Sequence, residues 1–188
     1  MLHYPVVMTK NALIVIDVQN GFNDPRNGRR NNPDCEANVN ALLEHWRSTG
    51  QPVVLVRHDS KKQGSPLAPG QSGNDLKPGV DGPHDLFVTK SVNSAFYGTP
   101  DLDAWLKKEN ITAITICGIM TNYCCETTAR MGGNLGYDVT FVLDATHTFD
   151  RKDIDGNVIP AEMIARVTAA NLHPEFATVR NTAEVLAG

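Results

Sequence analysis

Continuous apolar runs recur along the chain, and most end on a polar residue. Residues 12–16 end in Asp17, residues 52–56 at Arg57-His58-Asp59, residues 86–89 in Lys90, and residues 139–143 at Asp144. A β-branched run over 111–116 leads into Gly118, and a short one begins at 177. Continuous rather than alternating apolarity marks strands covered on both faces, as in parallel sheets. Helical spacing lies between most of these runs. Asp34 caps a segment in which Val39, Leu42, Leu43 and Trp46 share a face, and Gly50 stops it. Residues 101–110 turn Leu102, Trp105 and Leu106 inward, residues 121–135 end at Gly136, and Pro160 suits the first turn of a helix to residue 172. Residues 60–83, rich in Gly, Pro, Ser and Lys, carry little helical signal and read as a long functional loop.

Strands alternating with helices predict a three-layer α/β/α fold with a mostly parallel, doubly wound, Rossmann-like sheet. At 188 residues the chain suits a single domain spanning 1–188. Ligands of such sheets bind beyond the carboxyl ends of the strands. The polar residues expected there are Asp17, His58, Asp59, Lys90, residues 118–124 and Asp144, which gathers an acid, a lysine and a cysteine at one edge.

Charge and cysteine usage narrow the setting. A net charge of -4 draws in neither nucleic acid nor an anionic membrane. No apolar run reaches membrane-spanning length, and residues 1–5 lack the pattern of a secretory signal. Cys35, Cys117, Cys124 and Cys125 form no spaced framework, so the expectation is reduced thiols in a cytoplasmic protein.

Taken singly, Asp17 could anchor a loop, Lys90 could be a solvated lysine, and Cys124 an inert buried thiol. Together they make a coherent chemistry. A thiol in the first turn of a helix is biased towards thiolate. A carboxylate can take its proton, an ammonium favours both ionised forms, and the backbone N–H groups of the turn can hold an oxyanion.

The segments 13–22, 90–99 and 118–124 carry those residues, and with their spacing the chain resembles the isochorismatase-like cysteine hydrolases from about residue 13 to 146. The resemblance implies a catalytic triad of Asp17, Lys90 and Cys124. It implies an oxyanion hole on the backbone N–H groups of Met120 and Cys124, and a non-proline cis peptide at Ile119–Met120. Members that hydrolyse the vinyl ether of isochorismate lack the nucleophilic cysteine, so Cys124 points to a C–N bond. Nicotinamidase-like members carry paired metal-binding histidines. Here His58 is followed by no histidine before His84, and His3, His45, His147 and His173 are scattered, so neither a metal nor any other cofactor is expected. Cys125 stands where the family has an aliphatic residue, and packing is its expected role.

Asn20, Phe22, His58, Phe96, Tyr97 and Tyr123 are the candidate wall of a pocket for a small amide-like substrate. Core packing competes for the aromatics, and loop capping for His58. The leading expectation is a cofactor-independent amidohydrolase acting on an amide, carbamoyl or ureido group through a thioester. The alternatives are a non-catalytic binding or scaffold protein, and a vinyl ether hydrolase. A nucleotide-binding protein is disfavoured, because no Gly-x-Gly-x-x-Gly follows the first strand. A shallow pocket on one small sheet also predicts a homo-oligomer, at least dimeric, whose interface adjoins the site.

Overall fold

The structure is a computed structural model that describes residues 10–188. Residues 1–5, on which the reading of the N-terminal leader rests, lie outside the described residues. Six strands form a parallel sheet in the order β3-β2-β1-β4-β5-β8: β1 (Asn11–Ile16), β2 (Val53–His58), β3 (Leu86–Lys90), β4 (Ala113–Ile119), β5 (Asp138–His147) and β8 (Thr178–Arg180). The order reverses between β1 and β4, so a topological switch point opens beyond Ile16 and Ile119. A small antiparallel hairpin, β6 (Arg151–Lys152) with β7 (Val158–Ile159), stands apart from the sheet. The apolar pattern did not announce this hairpin.

Each face of the sheet buries a helix layer. On one side α1 (Cys35–Thr49) lays Cys35, Val39, Leu42, Leu43 and Trp46 against Leu13, Val15, Val53 and Leu55. There α5 (Thr182–Leu186) adds Val185 and Leu186. On the other side α2 (Leu102–Lys108), α3 (Glu126–Asn134) and α4 (Ala161–Leu172) cover Ile14, Ile16, Ile114, Ile116 and Phe141. Fully burying a side chain such as Leu42 contributes about 1.5–3 kcal/mol, so this face is what holds α1 down. Among the described residues, no helix is long and apolar enough to cross a membrane.

Several local expectations need correction. Asp34 occupies the N-cap of α1, but its side chain makes no capping bond, and Pro160 is the N-cap of α4 rather than a first-turn residue. The helix expected over 121–135 opens with a π-helical turn, Thr121–Cys125, before α3 begins. Asp144 does not sit at a strand end. The strand runs on to His147, with a register shift opposite Ile116 and Gly118. Asn32 and Asn38 donate to the carbonyls of Leu143, Thr146 and Asp144 there, which satisfies backbone the ladder leaves over. The Asp144 carboxylate accepts from the backbone N–H and the hydroxyl of Thr182, so it anchors the start of α5 and leaves the catalytic edge. The 60–83 segment is irregular as expected, with a single 3-10 turn at Ser72–Asn74.

Candidate active site

Two backbone features shape the switch point. Gly118 has φ +128, and a Cβ there would lie 2.0 Å from the carbonyl oxygen of Ile16. Only glycine lets β4 approach the end of β1 this closely. Asp17 follows at φ 51, in the left-handed region that non-glycine residues rarely enter. Its N–H still bonds to Val56, and its carbonyl accepts from Gln19, so the chain leaves β1 through a fixed turn. The Asp17 side chain is fully buried.

Lys90 and His58 are the last residues of β3 and β2, and the parallel register sets them side by side. The Lys90 ammonium donates to Asp17 Oδ2 at 2.5 Å, and both side chains have zero exposure. It also lies 3.2 Å from His58 Nδ1. Among the described residues, Asp17 Oδ1 is buried with no hydrogen-bond partner. Donor atoms of Asp17, His58 and Cys124 lie within 4.8 Å of one another.

Cys124 arrives on the π-helical turn. The Met120 carbonyl accepts from Tyr123 and also from Cys125, five residues on, and the latter is the wider closure of a π-helix. The Ile119–Met120 peptide is cis. Thr128 donates to the Cys124 carbonyl at 2.7 Å, Thr121 bonds Thr146 at 2.8 Å, and Thr148 donates to Asn122 at 2.5 Å. The turn is therefore held to α3 and to the end of β5. Cys124 is 8% exposed, while Cys35, Cys117 and Cys125 are fully buried. Cys125 packs in the core with Ala129 and Phe141.

Burial pushes the Cys124 thiol above its ordinary range, and the Asp17 charge adds to this, while Lys90 pulls the other way. Burial and the Asp17 charge both oppose the thiolate bias expected from a helix start. Desolvation and the neighbouring carboxylate both favour the neutral form here. For Lys90 burial favours loss of the proton, yet the charges and hydrogen bonds of Asp17 and Cys124 outweigh it and hold the ammonium above its usual value. Burial, reinforced by the Lys90 charge, lowers His58 against the opposing pull of Asp17 and Asp59. The donor set of Asp17, His58 and Cys124 does not fit a metal dication, because the Lys90 ammonium already bonds two of the three.

The proposed pocket wall divides. His58 joins the acid, lysine and thiol. Phe96 is 7% exposed and stacks on Tyr137 at the edge of the core. Tyr97 is 70% exposed and lines a cavity of about 320 Å³ with Lys61, Pro69, Lys90 and Ser91. Asn20 donates to the Ser72 carbonyl and ties down the long loop. Phe22 is half-buried against the α1 side of the sheet. Tyr123 is exposed, with the Arg151 guanidinium 4.9 Å over its ring.

Three residues escaped the sequence reading. Gln19 is fully buried; its amide donates to the carbonyls of His58 and Asn74, and its oxygen accepts from the His58 N–H. Asn74 donates to His58, Asp59 and Leu67, closing the long loop over the end of β2. A buried glutamine two residues past a catalytic-edge acid was the available signal for the first. Arg151, on β6, approaches Met120 Sδ at 3.4 Å, and its Nε is buried without a partner among the described residues. Nothing in its polar surroundings marked it.

Comparison with known proteins gives the family of the chain. Residues 11–183 match the family model described as Isochorismatase domain. The uncharacterized isochorismatase family protein YrdC of Bacillus subtilis (strain 168) is 40% identical, over 94% of this chain and 95% of its own. Nicotinamidase 3 of Arabidopsis thaliana is 33% identical over 75% of each chain. The crystal structure of an isochorismatase-family protein from Chromobacterium violaceum ATCC 12472 superposes with a TM-score of 0.91 at 37% identity, covering 96% of this chain and 94% of that one. A single α/β domain with this sheet order, a full-length family match and these relatives place the chain in the isochorismatase family of hydrolases.

Proposed function

We propose that this chain is a cysteine amidohydrolase that cleaves a C–N bond of a small amide, carbamoyl or ureido substrate. The observation that carries the reading is the buried Asp17 carboxylate: Oδ2 is held by Lys90, Oδ1 has no hydrogen-bond partner among the described residues, and a carboxylate oxygen lies within 4.8 Å of the Cys124 thiol. A family that includes a nicotinamidase by name supports amide hydrolysis as the class. Lys90 stands among the donor atoms where a bound cation would go, which fits chemistry done by side chains alone.

In this mechanism Asp17 takes the thiol proton as Cys124 Sγ attacks the substrate carbonyl carbon. The oxyanion is held by the backbone N–H groups of Met120 and Cys124, at the start of the π-helical turn. Asp17 then returns the proton to the leaving nitrogen, the C–N bond breaks, and a thioester remains. Water attacks the thioester as Asp17 removes its proton. Collapse releases the acid, and Asp17 reprotonates the sulfur. Lys90 stays charged throughout and keeps Asp17 ionised between steps. A thiol held above its ordinary range suits this scheme, because Asp17 takes its proton as the carbonyl is attacked.

The test is ammonia or amine release from a panel of small amides and ureas, with Cys124→Ser as the control. Turnover that survives Cys124→Ser, or turnover of a vinyl ether with no amide hydrolysed, rejects the proposal.

A further inference from the structure

The geometry points to His58 as a specificity-determining hydrogen-bond donor, held by Lys90 in the one neutral tautomer that presents an N–H to an oxygen of the substrate. This deepens the amidohydrolase reading and rests on it for the word substrate. An ammonium has three donors and no lone pair. The ring nitrogen of His58 that lies 3.2 Å from Lys90 Nζ must therefore be the acceptor, so the proton of a neutral ring sits on the other nitrogen. Lys90 serves two acceptors at once, Asp17 and His58, and so ties the ring to the same cation that holds the base. Burial and the Lys90 charge both resist protonation of the ring.

The ring is also placed by its own backbone. Gln19 accepts from the His58 N–H and donates to its carbonyl, and Asn74 donates to that carbonyl as well. Both clamps are nearly or fully buried. That is a built position, since a histidine that merely capped its loop would spend its ring on the loop. Here the ring faces Lys90 on one side, and among the described residues its other nitrogen has no hydrogen-bond partner. A ring nitrogen also lies within 4.8 Å of Cys124 Sγ, so the ring stands beside the place of a group bound to the thiol. The ligand class that satisfies a neutral N–H beside a thiol is a small amide or ureide whose oxygen acts as acceptor. A ligand offering only a donor, such as an ammonium, finds no partner on this ring nitrogen.

The experiment needs no knowledge of the natural substrate. Ring nitrogen shifts of ¹⁵N-histidine-labelled full-length protein read the tautomer at neutral pH. The expected result is one protonated and one bare nitrogen at His58, and loss of that single state in Lys90→Met. In parallel, Cys124 alkylation is timed with iodoacetamide, which carries the acceptor oxygen, and with ethyl iodide, which lacks it. Wild-type protein should favour iodoacetamide beyond the ratio shown by free cysteine. His58→Leu should lose about tenfold of that preference, the equivalent of one neutral hydrogen bond. His58→Gln, which both accepts and donates, should restore most of it. A doubly protonated ring, a mixture of tautomers in the wild type, or an unchanged alkylation ratio in His58→Leu overturns the inference. If His58→Leu does not fold, the wild-type spectrum and the Gln variant still decide. Because neither readout requires hydrolysis, failure of the amidohydrolase reading shows separately, as absence of turnover with this tautomer intact.

Discussion

Replacing Lys90 by Met removes the partner of a fully buried carboxylate and keeps most of the side-chain volume. The ion pair is 2.5 Å long with neither side chain exposed. At an effective dielectric near 20, unit charges at that distance attract by about 6–7 kcal/mol, and desolvating both ions offsets much of this. Breaking such a pair from one side is far costlier than removing it, because the surviving charge stays buried; about 3–5 kcal/mol is expected. For a domain of this size that is a fall in Tm of about 6–20 °C. Replacing both partners, Asp17→Asn with Lys90→Met, leaves two neutral groups and should recover at least half of the loss. The sign with pH follows from Lys90, which is held above its ordinary 10.5. The stabilisation it supplies is present below that value and is lost as pH rises through the higher folded value. The deficit of Lys90→Met should therefore be full at pH 7 and shrink only in strong alkali. Urea titration of the wild type, both single variants and the double variant gives the coupling energy directly. A Lys90→Met protein within about 2 °C of wild type, or a double variant no better than the single, would refute the claim that Asp17 is a buried, charge-compensated base.

Cys124 should be the first thiol alkylated by iodoacetamide, with activity lost in step, because the other three are fully buried. Its rate should climb steadily as pH rises above neutrality, since the thiol is held above its ordinary range; peptide mass spectrometry against time and pH checks both. Glu36 accepts from Arg30 and Lys77, and although burial opposes it, those bonds hold its carboxyl at about 2. The stability it contributes, about 2 kcal/mol after allowance for its partial exposure, is present above the ordinary 4.5 and lost as pH falls towards about 2. Glu36→Gln should be destabilised at pH 7 and converge on the wild type near pH 2–3, as read by chemical denaturation. Gly118→Ala should cost about 4 kcal/mol or more and yield little folded protein, since its Cβ meets the Ile16 carbonyl at 2.0 Å; a normal thermal melt would contradict the close approach. Light scattering should report a dimer or larger assembly, and a fully active monomer at micromolar concentration would count against an interface beside the site.

What the sequence determined by itself was whatever depends on periodicity and local chemistry. Continuous apolar runs specified parallel strands, because a strand covered on both faces has no polar side to show. The polar residue ending β1, β2 or β3 was legible for the same reason, since burial stops where the sheet stops, and this put Asp17, His58 and Lys90 on one edge. Gly50, with φ +65 at the end of α1, was readable as a stop. Tertiary structure decided everything that depends on who satisfies whom. Asp144 looked like a strand end and is interior, because Thr182, distant in sequence, takes its carboxylate. Phe96 read equally well as pocket wall or as core, and its stacking on Tyr137 is a pairing no local pattern encodes. Cys124 sits in a π-helical turn, whose i to i−5 closure has the same apolar spacing as an α-helix within one turn. The directions in which the site's groups shift followed from the fold alone. Burial pushes the Cys124 thiol up against the pull of Lys90, and how deeply a thiol is buried is a property of packing that residue type and spacing do not contain.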